Sequence, residues 1–161
     1  MAINTRQLRE YVIQPALQII NLYSLGAEEL LVLTAAQESH SGTYLHQLGR
    51  GPACGIFQME PATHDDIYSN YLVYKKKLLS KVQSLDLQIL GGTGVGSAQE
   101  MCGNLYYAAA MCRVHYLRVK EPLPAHTDLN GLAKYWKDHY NTFQGAGTAA
   151  EAISNYNRFV Q

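Results

Sequence analysis

The sequence lacks a charge bias: 13 Lys and Arg offset 13 Asp and Glu over 161 residues. That balance excludes a protein that works by neutralising phosphates or by resting a basic face on a membrane, so neither nucleic acid nor a membrane is an expected partner. No run of 18 apolar residues occurs, and no segment is expected to span a bilayer. The first ten residues are polar and carry Arg6 and Arg9, with no apolar stretch and small-residue cleavage site behind them. No secretory signal is expected, so a substrate outside the cytoplasm would need another route of delivery. Only three cysteines are present, Cys54, Cys102 and Cys112, without Cys-x-x-Cys spacing. This argues against a disulfide framework and for free thiols made in a reducing compartment. Alternation of period two is also missing, which leaves room for no more than a short β-hairpin inside residues 39–58.

What is present describes a packed chain. Hydrophobic residues make up 47% and charged residues 16%, proportions that suit one globular domain over 1–161. Twelve of the sixteen aromatic residues are Tyr, a residue suited to an interface or a sugar cleft and equally to scattered helix surfaces.

The periodicity is helical almost throughout, and the predicted fold class is mainly α. A first helix is predicted from Thr5 as N-cap through Leu8, Val12 and Ile19, with a break at Pro15. A second follows Ser24 and Gly26, has Glu28 and Glu29 in its first turn, and runs to about Glu38. Residues 39–54 read as a loop. A third helix starts near Pro61 to Thr63 and carries Ile67, Tyr71, Tyr74 and Leu78. Gly91, Gly92, Gly94 and Gly96 lack the Lys-Ser/Thr end of a phosphate loop and read as a connector. Ser97 and Glu100 have the spacing of a capping box opening a long helix through Tyr116. Further helices are predicted from about Leu129 to Tyr140 and, capped by Thr148 and Glu151, to the end.

Glu38 stands out because positions 31, 34, 35 and 38 share one face, and Leu31, Thr34 and Ala35 form an inward stripe. Burial there would raise the carboxyl's pKa and fit it to protonate a leaving group near neutral pH; a solvent-facing Glu at a helix end is the alternative.

Around it, Glu38-Ser39, a Gly-bearing loop and Gly55-Ile56-Phe57-Gln58-Met59-Glu60-Pro61-Ala62-Thr63 resemble the lytic transglycosylases of the lysozyme-like superfamily. That family carries Glu-Ser at a helix end, then Gly-Leu-Met-Gln-x-Met-Pro-x-Thr and a helix. Tyr116-Leu117 and Tyr140-Asn141 resemble its two later motifs, so the ordered likeness runs over residues 27–145. Glu60 replaces an apolar residue of the pattern, Arg113 a Gly, and Thr142 and Phe143 a small Ala-Gly pair. With Trp136-Lys137 before Tyr140-Asn141, the style also resembles small phage proteins of this type, either virion components or lysis enzymes.

The resemblance implies a lysozyme-like helical domain that cleaves peptidoglycan glycan strands, with Glu38 as the catalytic residue. Ser39, Gly55, Gln58 and Tyr140 would bind substrate, and phage virion or tail proteins would be partners. Such a protein would be made in the host cytoplasm and act on the wall from the virion or after release to the periplasm. Ordinary glycoside hydrolysis uses two carboxylates. None lies between residues 39 and 59, and Glu60, Asp65 and Asp66 fall beyond the loop, where the two aspartates read as stabilising a helix N-terminus. A solitary carboxylate suits a non-hydrolytic cleavage. The implied reaction protonates the glycosidic oxygen between N-acetylmuramic acid and N-acetylglucosamine and closes a 1,6-anhydro ring. A lysozyme-type hydrolase and a non-catalytic virion protein of the same fold are the alternatives.

Read from the residues alone, Ser39 could equally be a helix-end residue, Gly55 a bare turn, Gln58 a loop residue and Tyr140 a core aromatic. Ile56, Phe57, Met59 and Trp136 read as packing. His40, His46, Cys54 and His64 match no usual zinc spacing, and no metal or cofactor is expected. Cys102 and Cys112 read as small buried hydrophobes rather than nucleophiles.

Overall fold

The computed structural model describes residues 1–88, 97–141 and 145–160. Its centre is the helix Leu25–Ser39 (α3), in which Ala27, Glu28 and every residue from Leu30 to Ala36 are buried. The predicted single stripe is therefore too narrow: α3 is apolar all round because neighbours enclose it on all sides. Ser24 opens it, its hydroxyl accepting from the Ala27 N–H at 3.1 Å, and His40 closes it in the left-handed conformation at φ 51°. Against α3 pack Leu105–Leu117 (α7), Leu129–Trp136 (α8) and Ala149–Phe159 (α9). In the middle, Thr34 and Tyr116 join α3 to α7 through a 2.7 Å hydroxyl pair. The buried apolar residues form one cluster that includes Leu17, Leu31, Phe57, Met111 and Trp136.

The first helical stretch is interrupted. Thr5–Leu8 (α1) is capped by Asn4, not by Thr5, whose hydroxyl instead donates to the Phe159 carbonyl at 3.1 Å. A π-type turn over Arg9–Ile13 then precedes Gln14–Ile19 (α2), as expected where Pro15 has no N–H to give. Pro61–Asn70 (α4) begins at the predicted residue but stops short. A 3₁₀ turn, Leu72–Tyr74, separates it from Lys76–Leu85 (α5). The break turns Leu72 into the core and leaves Tyr74 in solvent, against the single stripe expected from Ile67 to Leu78.

The long helix expected from Ser97 is also divided. Glu100–Gly103 (α6) ends at Asn104, which caps α7 by accepting from the Tyr107 N–H at 3.0 Å and donates to the Leu85 carbonyl and to Glu100. Asn and Ser are comparable N-caps, but the Ser97 hydroxyl is engaged with the Gln99 side chain instead of a backbone N–H. The expected capping box of Thr148 and Glu151 is formed in both directions. Among the described residues the hairpin reduces to isolated bridges, His46 with Cys54 and Cys54 with Met59. The three cysteines are free: Cys112 lies fully in the core, and burial beside Cys102 pushes the Cys54 thiol up to about 12. The glycine run 91–96 and the Thr142 and Phe143 positions lie outside the described residues.

Candidate functional site

The C-terminal turn of α3, the loop 40–60, α7 and the segment after α8 surround a cleft of about 550 Å³. Glu38 lies in its wall. The carboxyl accepts one hydrogen bond at Oε1, 2.8 Å from the indole N–H of Trp136, and has no ion-pair partner among the described residues. Burial pushes its pKa up from the usual 4.5 to about 7, and the indole N–H, which favours the charged form, only partly opposes this. At neutral pH the group is thus present in both protonation states, as an acid that must next serve as a base requires.

The loop that faces Glu38 is held by polar ties. The Ser39 hydroxyl donates to the Ile56 carbonyl at 2.6 Å and accepts from the Gly42 N–H at 2.9 Å. Ser39 is fully buried and is not among the residues that line the cleft; it anchors the loop, the helix-end role that the sequence left open beside substrate binding. Gly55 is likewise buried outside the cleft lining. At φ +77°, with a Cβ that would fall 2.5 Å from the Met101 carbonyl, it is required by backbone conformation and packing. Gln58, itself left-handed at φ 48°, does line the cleft, and its amide nitrogen is held by the Gly55 carbonyl at 2.8 Å. Tyr140 lines it too, its hydroxyl donating to the Phe57 carbonyl at 2.8 Å, so the ring joins the segment after α8 to the loop.

Five further residues were not assigned to the site from the sequence. Trp136, assigned to packing, is indeed fully buried but bonds Glu38. It lies four residues before Tyr140, on the same helix face, and that spacing was the available signal. His115 lines the cleft with both ring nitrogens engaged. Nε2 faces the His139 carbonyl at 2.9 Å and must donate, so Nδ1 accepts from Arg118 at 2.9 Å. Burial, aided by the Arg118 charge, pushes its pKa down to about 4, and it remains a neutral wall residue at pH 7. Tyr44 lines the cleft and donates to the Glu38 carbonyl oxygen at 2.9 Å, while Gln47 and Asn141 line it with amide nitrogens that have no partner among the described residues. Asn141 stood in the Tyr140-Asn141 motif without being assigned a role, and no sequence signal distinguished Tyr44 and Gln47 from other loop residues.

The acids after the loop also divide differently from expectation. Glu60, placed beyond the site by its position in sequence, lines the cleft at the head of α4. Asp65 and Asp66 lie past the first turn of α4 and do not stabilise its N-terminus. Asp65 pairs with His64 at 2.8 Å, and Asp66 pairs with Arg118 at 2.6 Å. Of the histidines and cysteine considered for zinc, His40 stacks on Phe159 and His64 bonds the Tyr107 hydroxyl, and no group of three ligating side chains occurs among the described residues.

Comparison with known protein families, curated proteins and solved structures finds no match for this chain.

Proposed function

We propose that this chain is a peptidoglycan lytic transglycosylase of lysozyme-like fold, with Glu38 as general acid and then general base. One observation carries the reading: a carboxyl without a cationic partner among the described residues, raised to about 7 by burial, in the wall of an open cleft. Protonated Glu38 gives its proton to the glycosidic oxygen as the bond to the muramoyl C1 breaks. The resulting glutamate takes the proton of the muramoyl C6 hydroxyl, whose oxygen closes on C1 as a 1,6-anhydro ring. Glu38 is ionised when it gives up its proton and is protonated again when it takes the C6 hydroxyl proton, so the cycle closes and no water is consumed. The amide nitrogens of Gln47 and Asn141 and the side-chain carbonyl oxygen of Gln58, unpartnered among the described residues, offer donors and an acceptor to an acetamido sugar. Local opening of the wall by a phage is the setting that the sequence style supports, with delivery by a virion or release into the periplasm. No helix of the described residues is long and apolar enough to cross a membrane.

A hydrolytic reading has its own support in Glu60, a second carboxylate on the same cleft. Mass spectrometry of the muropeptides released by purified protein decides between them. Anhydro ends support the transglycosylase; reducing ends, abolished by Glu60→Gln, establish the hydrolase. Absence of clearing in a cell-wall zymogram rejects both in favour of a non-catalytic virion component.

A further inference from the structure

Glu38 is held asymmetrically. Oε1 accepts from the Trp136 indole, whereas Oε2 has no partner among the described residues. The indole N–H can only donate, so a proton on Oε1 would oppose it and leave a fully buried donor unsatisfied. The ring has little freedom to adapt. Trp136 is fully buried, and at Gly147 even a Cβ would fall 2.7 Å from its Cη2, so the following loop lies directly on the indole edge.

We propose that Trp136 is the positioning residue of this site: its indole N–H reserves Oε1 as a permanent acceptor, so that Glu38 gives and takes its proton at Oε2 alone. The catalytic meaning of this rests on the glycan-cleaving reading above, but the hydrogen bond and its consequence for the carboxyl do not. An unanchored carboxyl would divide its proton between two oxygens and two orientations, and only one of these meets a given glycosidic oxygen in line. The same indole serves the second half of the reaction, because its hydrogen bond strengthens when the carboxyl becomes charged.

Trp136 is the sole tryptophan of the chain, so its indole resonance is an unambiguous probe. The other titratable or charged groups around Glu38 are Tyr44 from the loop, Cys112, His115 and Tyr116 from α7, Tyr140 after α8, and Glu60, which lines the same cleft. The tyrosines and Cys112 are pushed upward by burial and His115 is pushed down to about 4, away from the range in which Glu38 titrates.

The test is a pH titration of the intact, unsubstituted protein by NMR, following the indole N–H and the Glu38 carboxyl carbon. The expected result is one shared midpoint near 7, with the indole moving downfield on ionisation and its titration lost in Glu38→Gln. A flat indole resonance, or one that still titrates in Glu38→Gln, overturns the proposal. Trp136→Phe supplies the kinetic arm. Loss of a hydrogen bond to a charged group predicts a fall in kcat of about 10- to 100-fold with KM little changed, and an alkaline limb of the pH profile displaced upward. An unmoved alkaline limb in a folded Trp136→Phe protein also overturns it; if that variant does not fold, the titration alone decides. Should the unsubstituted protein fail to cleave cell walls, the enzymatic reading falls while the indole titration still stands or falls by itself.

Discussion

The two ends of α3 treat the same side chain in opposite ways. At its start, Glu28 and Glu29 share the guanidinium of Arg9 at 3.1 and 2.7 Å, and Gln14, Tyr23 and Tyr156 complete their hydrogen bonding. Burial works against the charge on Arg9, but the two carboxylates outweigh it and raise its pKa. At the other end, Glu38 has only a neutral N–H donor among the described residues, and burial raises its pKa to about 7. Carboxyls supplied with a cation tie the chain's first helical stretch to α3; one whose only described partner is a neutral donor becomes a proton carrier within the physiological range. Sequence position alone gives three glutamates on one helix, and their partners separate their roles.

The largest expected effect tests the chemical end. Glu38→Gln should retain the fold and lower wall cleavage by about 10³-fold, the scale of a missing general acid and base, as read by turbidity loss and zymogram. Equal clearing by both proteins sinks the assignment. At the structural end, Arg9→Met should leave two carboxylates buried without their cation and cost about 3–5 kcal/mol in denaturant unfolding. Activity per folded molecule should be unchanged. If Arg9→Met instead alters the pH profile of cleavage, the two ends are not independent.

A smaller effect follows from linkage. Between the ordinary 4.5 and the folded value of about 7, native Glu38 binds more protons than the unfolded chain, so its contribution to stability is present at low pH and is lost as pH rises through 7. Glu38→Gln should therefore gain stability over the unsubstituted protein as pH rises through this window, by on the order of 1–3 kcal/mol at pH 8. His115 tilts the other way. Its folded value of about 4 lies below the ordinary 6.5, so the unfolded chain binds more protons in between, and stability falls as pH drops through that window. His115→Gln should flatten that acid limb in thermal unfolding scans. The smallest expected change is Tyr140→Phe, which leaves the Phe57 carbonyl without its partner at a cost of about 1 kcal/mol in unfolding free energy.

The all-helical class, the start of α4, the closing capping box and the placement of Glu38 on an inward face were legible in the sequence, because each depends on local spacing. The divisions at Asn104 and Leu72 were not. Continuous apolar spacing persists across both, and what separates the helices is an Asn side chain reaching the distant Leu85 carbonyl in one case and core burial of Leu72 in the other. The site divides along the same line. Gln58 and Tyr140 do face the cleft, whereas Ser39 and Gly55 are spent on holding the loop, a distinction set by contacts with Ile56 and Met101 that no motif records. Trp136 and His115 act through partners 98 and 24 residues away, which local spacing does not reveal.

The chain of bonds from Asp66 through Arg118 and His115 to the His139 carbonyl also has a mechanical meaning. It runs from α4, which carries Glu60 and Thr63 at one rim, to the π-type turn Lys137–Asn141, which carries Tyr140 and Asn141 at the other. It is therefore a strut braced between opposite jaws. Its inner joints are shielded, but its outer joint, the Asp66–Arg118 pair, stands partly in solvent and is weakened by dissolved salt. The spacing of the jaws, and with it the width of the cleft, thereby becomes a quantity that the surrounding electrolyte can loosen without touching Glu38.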